Sequence, residues 1–138
     1  MKKQIIIILL LLGAGISPSC KKYIEQQKQN ALEKAITDGA WIVTRYVENG
    51  TDITPSFSGY VFKFNSNGTV TGTKASSVEN GTWSGDVNTK TITSDFPSAA
   101  SPVDKLNAVW KITDSYADSV AASATINANT NILNLHKQ

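Results

Sequence analysis

Apolar and polar residues alternate with a period of two over much of the chain beyond Gly39. The pattern is sharpest where Tyr60, Phe62 and Phe64 alternate with Val61 and Lys63, which places the three rings on one face of a strand. The same reading predicts eight strands, at about 41–48, 58–65, 68–74, 81–85, 89–94, 108–112, 120–126 and 132–136. Asn49-Gly50, Asn67-Gly68 and Asn80-Gly81 carry a dipeptide that accepts positive φ and favours tight hairpins. Asp86-Val87-Asn88 and Asn127–Asn131 supply further polar links. Pro55, Pro97 and Pro102 break the pattern into connections, and a helical turn fits at 104–108. Short links imply antiparallel neighbours, and eight meandering strands can close on themselves and remove their edges. The fold class expected is all-β, an antiparallel up-and-down eight-stranded barrel over residues 41–138.

Upstream the period changes. Residues 21–38 are rich in Gln, Lys, Glu and Ala, all good helix formers, and predict a helix from about Tyr23 to Asp38. Gly39 stands where a helix would stop. Ile24, Ala31, Leu32, Ala35 and Ile36 share roughly one face, and Lys28 interrupts it. So narrow a face fits a tether with partial packing better than a full lid on a barrel end.

The first 19 residues read as a targeting segment. Lys2 and Lys3 precede the apolar run Ile5–Leu12, which is too short for a bilayer that takes about 20 residues to span. Small, turn-forming residues follow, and then Cys20, the only cysteine of the 138 residues. The order Ile16-Ser17-Pro18-Ser19-Cys20 resembles a bacterial lipobox, whose cysteine is acylated and becomes the mature N-terminus. Several acyl chains on Cys20 would anchor firmly, and Lys21 and Lys22 would then sit at anionic headgroups. The organisation expected is a lipoprotein signal peptide at 1–19, a lipidated N-terminus with a tether helix at 20–40, and the barrel at 41–138. The location expected is the cell envelope, on the outer membrane. No acidic run follows Cys20, which favours the periplasmic side over the cell surface. Loss of the leader removes two of the 13 basic residues and none of the 11 acidic ones, so the remainder is balanced. A balanced surface lacks the basic stripe that nucleic acid needs.

The residues quoted so far resemble a known family. Gly39-Ala40-Trp41 matches the G-x-W motif of lipocalins. Trp41 and Tyr46, then residues 49–54, 59–69 and 81–84, with Trp110-Lys111-Ile112, follow in an order similar to that of the small lipocalin-like lipoproteins of Gram-negative bacteria. The resemblance covers about residues 33–138. It implies an eight-stranded barrel whose tryptophan, here Trp41, plugs the closed end, and binding of a small apolar molecule. In that family a late arginine stacks on the tryptophan, whereas the only arginine here is Arg45 in the first strand. The T-D-Y motif of that family has its nearest counterpart in residues 113–116, with one extra residue.

Catalytic constellations are scarce. His136 is the sole histidine and has no cysteine or histidine cluster about it for zinc. No nucleophile elbow and no glycine-rich phosphate loop is present. Glu48 with Asp52, and Asp114 with Asp118, fall near strand ends, where carboxylates commonly make local hydrogen bonds. No cofactor, metal or catalytic residue is therefore expected, and the chain reads as non-enzymatic. Asp118-Ser119-Val120 resembles a bacterial O-glycosylation triplet.

The aromatic set remains. Trp41, Tyr60, Phe62, Phe64, Trp83 and Trp110 fall on expected inward faces and are the candidate interior ligand contacts. Two functional readings follow. The first is a membrane-anchored barrel that binds a small apolar ligand in a narrow pocket at its open end. The second is a solid barrel, filled by those rings, that serves as an accessory subunit of an envelope protein complex. In both, the lipid on Cys20 makes the membrane a partner.

Overall fold

The computed structural model describes residues 18–138. The expected leader, but for its last two residues, lies outside that range. The described chain opens with a helix, α1 (Pro18–Thr37), and continues in strands. These are β1 (Trp41–Glu48), β2 (Thr51–Asp52), β3 (Val61–Phe64), β4 (Thr69–Lys74), β5 (Ser77–Asp86), β6 (Thr91–Asp95), β7 (Ala108–Ser115), β8 (Ser119–Ile126) and β9 (Asn129–Lys137). Pairing runs β1-β3-β4-β5-β6-β7-β8-β9 and returns from β9 to β1, all antiparallel. That is a closed eight-stranded barrel; the two-residue β2 only folds back on the end of β1. Closure leaves the sheet no terminal strand, although β1 and β3 pair only at Trp41–Phe62.

Alternating hairpins define two ends. The 65–68, 87–90 and 116–118 links lie at the end where β1 begins, and α1 runs across that end. Gln29 of α1 donates to Gly85 O at 2.7 Å and accepts from Val87 N at 3.2 Å, while Ile36 is buried beside Trp41. Lys63 Nζ donates to Thr37 O and Gly39 O, both at 2.8 Å, and so closes off the last helical carbonyls. Gly39, at φ +82°, turns the chain into β1. Residues 18–28 are exposed throughout. The helix thus combines an exposed first half with a partly packed second half. Leu32 and Ile36 carry the packing; Ile24, Ala31 and Ala35, placed on the same face by periodicity, stay exposed.

The opposite end is closed by two 3-10 turns, Thr54–Phe57 and Val103–Leu106. Phe57, Phe96, Val103 and Leu106 are all buried there. Asn107 binds the backbone of Phe96 through both amide atoms, at 2.6 and 3.2 Å, and holds the 96–107 loop shut.

Two of the three Asn-Gly pairs form the expected turns. Asn49-Gly50 takes positive φ at both residues between β1 and β2, and Gly68 takes φ +84° in the β3–β4 hairpin. The third does not. Asn80-Gly81 lies inside β5, paired with Val70 and Thr71, and the β4–β5 turn comes instead at Ala75-Ser76. Gly81 is needed there for space: a Cβ would stand 2.8 Å from the Phe96 ring.

Candidate functional site

The barrel interior is the first place to look. Its lining comes from inward residues of the strands, from Ile36 of α1, and from Phe96 and Leu106 of the closing loop. The space left is about 40 Å³ and almost wholly apolar. Pockets that hold small organic ligands span about 300–1,000 Å³, so this is a packing void of a few water diameters rather than a cup.

The six candidate aromatics divide. Trp41, Phe62, Phe64 and Trp110 line that void. Trp83 is buried but packs edge-on against Phe64 at 5.5 Å and donates Nε1 to Asn65 O at 2.9 Å, which ties the β3–β4 hairpin to β5. Tyr60 departs from the expectation of a ring within the lumen. It precedes β3, is half-buried, stacks on Phe62 at 6.0 Å and lies under Lys74 Nζ at 5.4 Å. The reason is local: the 3-10 turn ending at Phe57 and Gly59 at φ +84° redirect the chain, so the strand begins only at Val61.

Trp41 sits at the α1-covered end and donates Nε1 to Ile36 O at 2.9 Å. The cation expected to be missing is supplied differently: Lys137, at the end of β9, places Nζ 5.2 Å above the Trp41 ring, and Asp38 lies 3.6 Å from that ammonium. Periodicity alone could not find this contact, because it depends on β9 closing onto β1.

At the other end the key residue is Tyr46, fully buried. It stacks on Phe57 at 5.1 Å and meets Trp110 edge-on at 5.8 Å. Its hydroxyl donates to Lys105 O at 2.7 Å, and Asn131 reaches the same oxygen at 3.5 Å. Burial pushes the phenol up to about 12, with the Asn131 hydrogen bond opposing. Leu106 O accepts from both Ser94 Oγ at 2.5 Å and Trp110 Nε1 at 2.9 Å. These hydrogen bonds tie the closing loop to β1, β6 and β7.

The other sequence candidates are accounted for similarly. Glu48 binds Lys105 Nζ at 2.7 Å across the plugged end. Asp52 accepts from the Thr54 hydroxyl at 2.5 Å and backbone at 2.9 Å, and these bonds hold its carboxyl below the usual range. Asp114 caps Ser115 N at 2.9 Å. His136 is exposed on β9, and among the described residues no three His, Cys, Asp or Glu side chains gather as metal ligands would. Ser119 is half-buried at the start of β8. Cys20 is exposed in the first turn of α1.

Outside the barrel, among the described residues, a groove of about 790 Å³ lies between β1 and the chain leading into β3. Ile42, Val43 and Thr44 form one wall and Ser58, Gly59, Tyr60 and Val61 the other. It exists because β1 and β3 pair at a single position, Trp41 with Phe62, and then diverge.

A scan against protein-family models and a search of curated proteins find no match. Among solved structures, the chain is similar to a DUF4847 family protein from Bacteroides vulgatus, at 16% identity and a TM-score of 0.58. The likeness covers 78% of this chain and 99% of that one. At that identity what the two share is the fold.

Proposed function

We propose that this chain is a non-enzymatic, lipid-anchored barrel of the cell envelope that works through its outer surface, as an accessory partner in a protein complex. The observation that carries the reading is the interior. A void of about 40 Å³ leaves no room for an apolar ligand without dismantling the packing of Trp41, Phe62 and Trp110. Of the two readings, the solid interaction module therefore fits better than the ligand carrier. The anchor rests on Cys20 and the leader-like segment before it. The exposed part of α1 from the anchor onward, residues 20–28, would hold the barrel roughly 13 Å from the membrane at about 1.5 Å per residue. Lys21, Lys22, Tyr23 and Ile24, all exposed, suit a headgroup layer. The outer membrane, periplasmic face, is the location this reading assigns.

The test is recovery of the native protein from envelope membranes, with wild type and Cys20→Ser compared. Wild type in the membrane fraction with a co-purifying protein, and Cys20→Ser in the soluble fraction, is the expected outcome. Recovery of wild type alone with stoichiometric bound lipid, beyond any acyl chains on Cys20, would overturn the surface reading. Membrane retention of Cys20→Ser would overturn the anchor.

A further inference from the structure

The groove between β1 and β3 is an interruption in an otherwise closed hydrogen-bonded cylinder. On its far side β1 pairs with β9 through six positions, from Trp41–Lys137 to Val47–Ile132. On the groove side, among the described residues, it pairs with β3 at Trp41 and with β2 at Val47 and Glu48. Residues 42–46 have no ladder partner there; Tyr46 alone is engaged, giving its N–H to Thr54 Oγ1 and its carbonyl to Ile53 N, both at 2.9 Å. A bulge at Thr44, between Val43 and Arg45 in the β1–β9 register, interrupts strict alternation, and the stretch on either side of it still turns part of its N–H and C=O groups toward the gap.

We infer that this groove takes up an extended segment of a partner protein as an added strand against β1. The inference deepens the surface reading above by naming its site. The occupant follows from what the walls demand. Backbone groups along residues 42–45 need hydrogen-bond partners once water is displaced, and a peptide backbone supplies them where an acyl chain cannot. Asp52, Thr54, Ser58 and Gln138 make the rim polar, again unsuited to a lipid tail. The floor is apolar: Val43 and Tyr60 are half-buried and packed on the barrel core, with Phe57 buried at one end. A strand laid there presents alternate side chains to this floor and to solvent, so the segment recognised has an apolar residue at every second position. Residues 42–45, up to the engaged Tyr46, offer roughly 13 Å of edge at about 3.3 Å per residue, enough for a segment of about four residues.

The experiment pans a displayed library of linear peptides, each about nine residues long, on the detergent-solubilised full chain. Ser58→Trp, whose exposed position on the groove wall would fill it, serves as counter-target. Enriched peptides should alternate apolar and polar residues, slow amide exchange within wild-type residues 42–45, and bind Ser58→Trp at least about tenfold more weakly. The exchange measurement needs no variant and stands even if Ser58→Trp folds poorly. No enrichment, slowed exchange elsewhere, or equal binding to a folded Ser58→Trp overturns the inference. So does self-association of wild type that Ser58→Trp abolishes, which would give the groove to a second copy. A membrane partner retained equally by wild type and Ser58→Trp removes this groove while leaving the surface reading intact. If neither retains a partner, the surface reading falls while peptide binding still decides the groove.

Discussion

At the residue scale, the plugged end depends on Tyr46. Its hydroxyl satisfies Lys105 O, and Tyr46→Phe leaves that carbonyl without this partner. The expected loss is about 1–2 kcal/mol, read from chemical denaturation. The same phenol sets a pH dependence. With a folded value of about 12 against an ordinary 10.0, the native state holds this proton after the unfolded chain has lost it. Its contribution is therefore complete below pH 10 and is lost as pH rises from about 10 to about 12. Wild type should lose stability more steeply than Tyr46→Phe in that window; parallel curves would contradict the assignment. Gly72 gives a second case. A Cβ there would stand 2.7 Å from Cε1 of Phe62, which is buried, so Gly72→Ala should cost about 1–3 kcal/mol through displacement of that ring. Neither Tyr46 nor Gly72 was recognisable as special in the sequence. Tyr46 reads as one more strand aromatic, and the space above a strand glycine is set by a neighbour distant in sequence.

At the element scale, period-two alternation located all eight barrel strands, because each has one wet and one dry face. It failed at boundaries and at one turn. Asn80-Gly81 has the composition of a hairpin, yet the close approach of Phe96 uses its glycine for space instead. The helix was legible from composition, but which residues it buries was not, since of the five apolar residues on the expected face only Leu32 and Ile36 pack on the barrel. Ile36→Ala should cost about 2–4 kcal/mol by opening a hole beside Trp41. Tyr23→Ser with Ile24→Ser, in the exposed half, should change stability by no more than about 0.5 kcal/mol. A large loss from the latter pair would mean that the whole helix packs on the barrel.

At the scale of the whole molecule, closure was foreseeable from strand number and short links, and a filled barrel from the inward aromatic set; which residues stopper its ends was not. Four of the six candidate rings line the interior together with Phe96 and Leu106, which looked like loop, and Phe57 and Val103 are buried at the same end. Apolar residues in proline-bearing connections were the available signal, and they plug one end while Ile36 and Trp41 plug the other. A barrel stoppered at both ends exposes its chemistry outward, in the β1–β3 groove and along the loops. The most direct measurement is a fluorescence titration of the tryptophans, Trp41 and Trp110 being in contact with the void, against a panel of fatty acids and apolar dyes. The account predicts no saturable change with any of them; saturable binding that shifts tryptophan emission, lost when Trp110 or Phe62 is replaced without unfolding the chain, would contradict it.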